Sequence, residues 1–380
     1  MCFVRTAATL ILMHSSSGAR IPDLATVNSL LSRQDLGELL PETVVSHSGR
    51  HRKCSGFTTS GRGVFVKQMN AAPGQQAPGL ERAKQFERIR VPGLRTPELL
   101  GSDEENNLLV FDLVPDAEPA NELARESGFG PELAHHIGEV IGRLHELPLS
   151  EDISIDTSLP PYPPLNSLDG LTVGQFQTSS AAVLQGWRLL QEDQPVVDAV
   201  RALRHGEETA PKAPSHCDFR LDQILVSGQG PHIVDWEEFR FGDPARDVGM
   251  FVGEWLYLAA DRAARVLHTG DAGRPRSATG ATREEISAQT VIELRTVQPT
   301  VKAFWDGYRS SRGTPDPDLP RRAISYAGWH LYDRMFNVVA RMALLSATQY
   351  VANGMGRRAL LAPDGFARLL EMGEFDARSN

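Results

Sequence analysis

Three short segments of this sequence carry side chains whose types and spacing suit chemistry on phosphate groups. In the first, His216 is followed two positions later by Asp218, and Gln223 stands five positions after Asp218. Transfer of a phosphoryl group to a hydroxyl needs a carboxylate that orients the hydroxyl and accepts its proton. We predict that Asp218 is this catalytic base. Taken by itself, the segment is also compatible with a plain surface turn.

The second segment is a short run, residues 232–234, that leads into Asp235, seventeen positions after Asp218. A carboxylate at the end of a buried strand is well placed to bind Mg²⁺ together with nucleotide phosphates. We therefore predict Asp235 as a metal ligand and Gln223 as a second one, although Gln is one methylene longer than the Asn typical of such loops. For Glu237 the sequence leaves metal binding and simple solvation open.

The third segment is Val-Phe-Val-Lys at residues 64–67, a strand pattern that ends in Lys67. A lysine at this point in the order of motifs is expected to hold the α- and β-phosphates of ATP. Its expected partner is a glutamate in the next helix, for which we favour Glu81 over Glu87. A lysine that simply reaches solvent is the alternative.

A glycine-rich phosphate loop is missing, and the segment 48–54 stands in its place. Backbone amides around Ser48 and Gly49, or the charges of Arg50 and Arg52, are expected to cover the phosphates, with a solvated basic loop as the alternative.

The apolar run 108–114 is expected to form the hinge whose backbone meets the adenine base, with Asp112 and Val114 as nucleotide-binding residues. This expectation rests on the position of the run, since a core strand has the same apolar residues.

The periodicity of apolar residues indicates how these segments are positioned. A capped helix is predicted at residues 21–40, with Asp23 at its start. Strands are predicted at 43–48, 56–59, 64–69, 97–101 and 108–114, with a helix at 80–89. Further helices are predicted at 133–147, 179–191, 196–204, 248–266, 284–310, 319–347 and 363–372, and a mobile loop at 268–282.

This order of elements predicts an α+β protein with a small antiparallel-sheet N-lobe and a larger, mainly helical C-lobe. Pro115 breaks the strand pattern and suggests the boundary. The predicted organisation is an N-terminal extension with a helix at 1–40, the N-lobe at 41–115 and the C-lobe with the catalytic and metal loops at 116–380. The Asp residues of segment 242–247 are expected to cap turns and hold the catalytic loop.

Composition narrows the partners and the compartment. A formal net charge of −9 argues against nucleic-acid binding. The three cysteines show no paired spacing, so neither a disulfide framework nor a zinc site is suggested. The cysteine pattern fits a reducing cytoplasm, so we expect a cytoplasmic protein. The apolar run at 7–13 resembles a short export signal but is at the lower limit for one and too short to span a membrane, and an over-extended start codon is the alternative explanation, so we expect no membrane partner.

Together the motifs at 216–223, 235–237 and 242–244, and Ile-Gly-Arg-Leu-His at 141–145, resemble the aminoglycoside phosphotransferase and choline kinase superfamily. The resemblance implies a protein-kinase-like two-lobed fold and an ATP- and Mg²⁺-dependent kinase. It assigns nucleotide and metal roles to Lys67, Asp218, Gln223 and Asp235. Gln223 departs from the pattern, since most members have Asn there.

A narrower resemblance, carried by residues 220–223, 235–240 and 324–330, is to the kinase subunits of class V lanthipeptide and thioamitide biosynthesis. It implies a substrate that is Ser or Thr of a ribosomal precursor peptide, and a separate lyase as partner. Two alternatives stay open: a small-molecule kinase acting on an aminoglycoside-like alcohol, and a pseudokinase that serves as a scaffold.

Overall fold

The computed structural model describes residues 21–72, 74–148, 154–269 and 282–373. The sequence predictions for the first 20 residues, and those for most of the 268–282 loop, lie outside these residues. The described helices are α1 (Leu24–Arg33), α2 (Pro78–Phe86), α3 (Ala120–Arg125), α4 (Pro131–His145), α5 (Asn166–Asp169), α6 (Val173–Thr178), α7 (Ala181–Gln191), α8 (Gln194–Thr209), α9 (Ala245–Thr269), α10 (Arg283–Ser311), α11 (Leu319–Val338), α12 (Ala347–Leu361) and α13 (Pro363–Leu369).

The described strands are β1 (Val45–His47), β2 (Arg52–Phe57), β3 (Gly63–Gln68), β4 (Leu99–Asp103), β5 (Leu108–Asp112), β6 (Glu118–Pro119), β7 (Ala213–Ser215), β8 (Ile224–Ser227), β9 (Gly230–Ile233) and β10 (Arg240–Gly242). They and the helices fall into two compact units. The first contains the described residues up to Arg88, Arg95–Ala117 and Ser227–Glu237, and the second contains the rest. The segment that carries Asp235 thus belongs with the sheet, whereas the sequence had grouped it with the helical lobe.

The first unit is built on a five-stranded antiparallel sheet with the order β1-β2-β3-β5-β4. Successive side chains of a strand point to opposite faces. In β3, Val64 and Val66 therefore enter a core with residues of α1, whereas Lys67 belongs to the other face. This alternation fixes the side of the sheet on which Lys67, the lysine predicted to bind phosphate, emerges.

The start of α1 confirms the predicted cap, because the Asp23 carboxylate accepts a hydrogen bond from the Thr26 amide at 3.0 Å. The helix is shorter than the predicted range 21–40. It stops at Arg33 because Asp35 and Gly37 have φ angles of 55° and 79°, which a helix cannot include.

The second unit is mainly helical, with α4 packed on α10, and α9 packed on α10, α11 and α12. The α4–α10 pair approaches so closely that position 307 must be glycine, since a β-carbon there would lie 2.0 Å from the His135 carbonyl oxygen. Two short antiparallel pairs, β7 with β10 and β6 with β8, complete the unit. None of the described helices combines the length and the apolar character that a membrane-spanning helix needs.

The prediction of one helix over 319–347 is wrong. The helix α11 ends at Val338, and α12, which the sequence did not predict, follows after a short connection. The new helix begins at a capping box in which Ser346 and Gln349 satisfy each other's exposed backbone amides. The small sheet-bearing unit and the larger helical unit confirm the predicted α+β class.

Candidate active site

Two lysines and one carboxylate form the centre of the site in the first unit. Lys53 of β2 and Lys67 of β3 are direct cross-strand neighbours. The Lys67 ammonium donates to Oδ1 of Asp235, and the Lys53 Nζ lies 3.4 Å from Oδ2 of the same carboxylate. The Lys67 side chain is only 4% exposed, so its charge is compensated inside the protein.

A second carboxylate, Glu237, closes this cluster. Its Oε2 contacts the Lys67 ammonium and lies 3.2 Å from the His51 Nε2, and its Oε1 accepts from Arg50 at 2.9 Å. Arg50 and His51 belong to the turn between β1 and β2. The Asn70 amide donates to His51 Nδ1 at 3.0 Å, which leaves Nε2 facing the carboxylate. Four basic side chains thus surround two acidic ones, and the excess of positive charge suits an anionic ligand.

The segment 235–237, which carries both carboxylates, is held in place by contacts with α2. Trp236 stacks on Phe86 of α2, with ring centroids 3.5 Å apart and an interplanar angle of 5°. The Arg82 Nε donates to the Glu237 carbonyl at 2.6 Å. Asp235 has a φ of 69°, in the left-handed region that Asp tolerates better than most residues. This turn directs Asp235 and Glu237 toward Lys67 while Trp236 packs against the helix.

The close contact with α2 depends on Gly79, where a β-carbon would lie 3.0 Å from Cβ of Glu237. A larger residue at position 79 would push the helix away from the acidic segment.

Charge compensation decides the protonation states in this cluster. Burial alone would raise the pKa of the Asp235 carboxyl and lower that of the Lys67 ammonium. Their mutual attraction outweighs burial, so the pKa of Asp235 lies below its ordinary value and that of Lys67 above it. Burial likewise acts to raise the pKa of Glu237, but the hydrogen bond from His51 and the Lys67 charge lower it. Both carboxylates are ionised at neutral pH.

The pairing expected between Lys67 and a glutamate of α2 is not made. Glu81 lies in the first turn of α2 and forms no ion pair with any described residue. The Lys67 ammonium is instead occupied by Asp235 and Glu237. Of the two alternatives for Glu237, metal binding and simple solvation, the second does not hold. Its carboxylate contacts basic side chains and is largely withdrawn from solvent.

The other predicted nucleotide-binding residues lie in the turn before β2 and at the end of β5. Ser48 and Gly49 are exposed in the turn, and a β-carbon on Gly49 would lie 3.7 Å from the Lys53 Nζ. Asp112 ends β5, where its side chain accepts from Arg62 at 3.0 Å. Val114 follows and is half-buried. Their contacts with a nucleotide stay predictions.

The catalytic loop of the second unit is organised by one buried carboxylate, Asp247 at the start of α9. Its two oxygens accept from the backbone amides of His216 and Cys217, each at 2.7 Å. The His145 Nε2 lies 3.0 Å from Oδ2 of the same carboxylate, and its Nδ1 lies 2.9 Å from the Tyr308 hydroxyl. Burial lowers the pKa of His145, although Asp247 acts to raise it. The predicted loop-holding role of segment 242–247 is confirmed.

Asp218 lies at the open side of this loop with its side chain 28% exposed, and an arginine two positions later covers it. The Arg220 Nη2 donates to Oδ2 of Asp218 at 3.1 Å, and its Nε lies 3.0 Å from Oδ1. The Nη1 is 3.5 Å from Oδ2 of Asp222. Burial acts to lower the pKa of Arg220, but Asp218, Asp222 and Glu254 outweigh it and keep the guanidinium charged.

Gln223 ends a single 3-10 turn, Leu221–Gln223, and is buried. Its side-chain amide makes no hydrogen bond to any described residue, and this leaves its oxygen available to a ligand. An amide oxygen here and the Asp235 carboxylate are the hard donors that Mg²⁺ prefers, so the chemistry of both residues fits the predicted metal. Among the described residues, no group of three or more His, Cys, Asp and Glu side chains is arranged to hold a metal ion.

The tail motif 324–330 lies in α11 and reaches a second buried carboxylate. The His330 Nε2 lies 2.7 Å from Oε1 of Glu254 in α9, and the Arg334 Nε lies 2.9 Å from the same oxygen. Burial acts to raise the pKa of Glu254, but Arg334 and His330 lower it to about 2. Glu254 in turn acts on Arg220, so the tail is electrostatically linked to the catalytic loop.

Sequence reasoning missed Lys53, His51 and Glu254, and it gave Arg220 no chemical role. Lys53 could have been found by aligning β2 with β3, since the short turn 58–62 fixes the register that places it opposite Lys67. Nothing in the local sequence marks Glu254, which lies within a helix and gains its importance from residues far along the chain.

Comparisons with known proteins identify the family of this chain. The sequence profile of the phosphotransferase enzyme family (APH) matches residues 57–283, more than half of the chain. Among curated proteins, none matches the sequence significantly.

Similar solved structures include the amicoumacin kinase hAmiN in complex with AMP-PNP, Ca²⁺ and Ami, with 12% identity, 89% of this chain and 93% of that chain covered, and a TM-score of 0.50. A glucosamine kinase in complex with glucosamine, ADP and inorganic phosphate has 15% identity, 86% and 84% coverage, and a TM-score of 0.50. A choline/ethanolamine kinase family protein from Mesorhizobium loti has 14% identity, 90% and 97% coverage, and a TM-score of 0.47. The first two show that the fold is kinase-like, as predicted.

Proposed function

This chain belongs to the phosphotransferase enzyme family, and from that premise we propose that it transfers the γ-phosphoryl group of ATP, with Mg²⁺ bound, to a hydroxyl group. The observation that carries this proposal is the cluster of Lys67, Lys53 and Asp235 in one unit, in a chain that also holds Asp218 on an ordered catalytic loop. Phosphoryl transfer is mainly positioning and electrostatic stabilisation, and these residues supply both.

Each of these residues has a defined task in the proposed reaction. The Lys67 and Lys53 ammonium groups bind the nucleotide phosphates, and Asp218 orients the acceptor hydroxyl and takes its proton. Mg²⁺, when bound, neutralises charge on the phosphate oxygens, and Asp235 and Gln223 would hold it. Asp247 fixes the backbone of the loop and thereby the position of Asp218.

For the acceptor, we propose Ser and Thr side chains of a ribosomal precursor peptide, whose phosphate a separate lyase then eliminates to give dehydroamino acids. Support comes from the likeness of segments 220–223, 235–240 and 324–330 to lanthipeptide kinase subunits. In addition, the tail motif is linked through His330 and Glu254 to Arg220 beside the proposed base. A kinase site offers no second centre for the elimination, so a partner enzyme is needed. Because the reaction consumes ATP, which is available in the cytoplasm, the proposal includes a cytoplasmic location.

A second candidate acceptor is a small alcohol that carries an amino group. One observation favours it: the Asp222 side chain, beside Asp218 and Arg220, is 35% exposed, so part of this acidic side chain is open to a ligand. A carboxylate at such a place can accept from an ammonium group. Glucosamine, as in the glucosamine kinase with a similar fold, is a compound of this kind.

The test is mass spectrometry of a candidate precursor peptide after incubation with the protein and Mg²⁺-ATP. The proposal expects a gain of one phosphoryl group per modified residue, with loss of phosphate only after lyase is added. The Asp218→Asn protein serves as the matched control. Phosphorylation of amino sugars but never of peptide would replace the first candidate by the second, and tight Mg²⁺-ATP binding without transfer to any acceptor would indicate a pseudokinase.

A further inference from the structure

A tyrosine of α10 faces the motif Ile-Gly-Arg-Leu-His at 141–145, to which the proposed reaction gives no task. A β-carbon on Gly142 would lie 2.6 Å from the Tyr308 carbonyl oxygen, so α4 and α10 are in close contact at this point. Three positions further along α4, the His145 Nδ1 lies 2.9 Å from the Tyr308 hydroxyl. The tyrosine is completely buried. The contact of the two backbones thus fixes the place of this hydroxyl beside the imidazole.

The Tyr308 hydroxyl has a second partner in Arg312, the residue that caps the C-terminal end of α10. Arg312 is buried, and its Nη1 donates to the hydroxyl oxygen at 2.6 Å. Its backbone amide donates to the Tyr308 carbonyl at 3.1 Å, which turns the chain back onto the tyrosine. The guanidinium forms no ion pair with a carboxylate of the described residues. A buried charge without a paired charge is costly, so its place beside this hydroxyl calls for a reason.

The hydrogen bonds of these groups form a chain that runs in one direction. An arginine has only donors, so the Tyr308 oxygen accepts from Arg312, and the hydroxyl proton is donated to the His145 Nδ1. The single proton of a neutral imidazole then lies on Nε2, which donates to Oδ2 of Asp247 at 3.0 Å. An ionised carboxylate only accepts, and Asp247 accepts in addition from two backbone amides of the catalytic loop. The chain therefore leads from the end of α10 to this loop.

The charges around the imidazole agree with this arrangement of protons. Burial lowers the pKa of His145, and the charge of Arg312 lowers it further. Asp247 and Asp243 act to raise this pKa, but the net shift is downward, so the imidazole is neutral at neutral pH. Burial raises the pKa of Tyr308, and its hydroxyl therefore keeps the proton that it donates.

We propose that Tyr308 and Arg312 are positioning residues for the proposed base. Through His145 they hold the Asp247 carboxylate in its orientation, and this carboxylate binds the backbone amides of the two residues that precede Asp218. The inference rests on the proposed phosphotransferase function and adds to it two residues that touch neither nucleotide nor acceptor. It also gives the end of α10 a part in the reaction, although α10 carries none of the residues proposed to bind or transfer phosphate.

Loss of the hydroxyl would leave two buried groups without their partner, the acceptor Nδ1 of His145 and the donor Nη1 of Arg312. An imidazole whose Nδ1 receives no hydrogen bond can rotate or take up a proton, and either change alters its hydrogen bond to Asp247. The carboxylate then holds the loop amides less firmly, so the loop opens more often. The position of Asp218 becomes less defined, which slows transfer, whereas the lysines proposed to bind the phosphates belong to the other unit.

The experiment compares the parent protein with Tyr308→Phe, which keeps the ring and removes only the hydroxyl. Hydrogen–deuterium exchange followed by mass spectrometry should show the amides of His216 and Cys217 exchanging about 10-fold faster, while peptides of α12 exchange as in the parent. For the acceptor that the parent phosphorylates, a candidate precursor peptide or glucosamine, kcat should fall by about 10-fold at an unchanged Kd for Mg²⁺-ATP. Unchanged exchange of the two amides would overturn the proposal. Faster exchange throughout the protein, with equal losses in kcat and affinity, would do the same.

Three further variants keep the test decisive. Arg312→Lys retains a charged donor and should keep most of the parent's kcat, whereas Arg312→Met retains the bulk without a donor and should lose it as Tyr308→Phe does. Equal kcat for Arg312→Met and the parent would overturn the role of Arg312. Tyr350→Phe removes a hydroxyl from a tyrosine of α12 that is 48% exposed, and it should change neither exchange nor rate. If the parent phosphorylates no acceptor, the proposed function fails, while the exchange measurement, which needs no activity, still decides the positioning.

Discussion

Lys53 and Lys67 face each other directly across β2 and β3, and their ammonium groups approach different oxygens of the Asp235 carboxylate. Like charges in a cross-strand pair destabilise a sheet. The Asp235 carboxylate therefore compensates the charges of both strands. Without a ligand, both lysines are held in ion pairs with it. The proposed function predicts that, when phosphates and a cation bind, the lysines exchange the carboxylate for phosphate and the carboxylate exchanges the lysines for the cation.

The first prediction is that Asp235→Ala destabilises the protein. Removing one partner of a buried ion pair leaves charge uncompensated and typically costs about 3–5 kcal/mol. Here Glu237 alone would remain to balance the charges of Lys67, Lys53 and Arg50. Urea denaturation should show this loss, and adding Lys53→Met to Asp235→Ala should recover part of it. Glu104→Ala, which breaks an exposed pair with Lys84, is the control and should cost at most about 1 kcal/mol. A midpoint for Asp235→Ala equal to that of the parent would contradict the pairing.

The second prediction concerns nucleotide binding. Lys67→Ala should weaken Mg²⁺-ATP binding by about 10- to 100-fold, because a charge-assisted hydrogen bond to phosphate contributes about 1.5–3 kcal/mol. Calorimetric titration measures this. Lys302→Ala, at a half-exposed lysine of α10, is the matched control and should bind as the parent does. Unchanged affinity in a folded Lys67→Ala protein would mean that the phosphates bind elsewhere.

The third prediction separates binding from chemistry. Asp218→Asn keeps the size of the side chain but cannot accept the proton of the acceptor, so kcat should fall by about 10²- to 10⁴-fold while the Kd for Mg²⁺-ATP is retained. Single-turnover rates and titration on the same preparation measure the two quantities. Equal losses in both would show that Asp218 has a structural role, and full activity would remove it from the mechanism.

The fourth prediction concerns acid stability. The pKa of Glu254 falls from 4.5 to about 2 on folding, since Arg334 and His330 outweigh burial. A depressed folded-state pKa gives stability that is present above the unfolded-state value and is lost as the pH falls toward 2. At about 1.4 kcal/mol per pH unit, this contribution is about 3 kcal/mol.

Denaturation midpoints measured between pH 5 and pH 2 should therefore fall less steeply for Glu254→Gln than for the parent. Glu192→Gln, at an exposed residue of α7, should follow the parent curve. Parallel curves for the parent and Glu254→Gln would show that Glu254 is not the group that titrates.

Sequence reasoning found the parts of the site that are local in the chain. The superfamily and the kinase-like fold were predicted from the resemblance of the motifs at 216–223, 235–237, 242–244 and 141–145, and the order of these motifs after the strand ending in Lys67 gave that lysine its predicted role. The partners of Lys67 could not be predicted this way. The sequence suggested Glu81 or Glu87, whereas the observed contact with Glu237 depends on how the 235–237 segment packs against α2. Such contacts join residues more than 150 positions apart.

The missed helix α12 has a different cause. Gly354 and Gly356 lie inside it, and glycine is a poor helix former, so the sequence pattern is weak. In the fold, Gly356 is needed because a β-carbon there would lie 2.9 Å from the Gly328 carbonyl oxygen of α11. The close packing of two helices, which only the tertiary structure reveals, thus overrides the local preference.

The stack of Trp236 on Phe86 gives the protein a built-in optical probe. The indole lies between Asp235 and Glu237 in sequence, and its centroid is 3.5 Å from that of the phenyl ring. A ligand that takes Asp235 away from the lysines changes the arrangement of charges around the indole, so we expect the fluorescence to shift. Occupancy of the site is therefore readable without a label, and Trp236→Phe, which preserves an aromatic stack, identifies the part of the signal that comes from this residue.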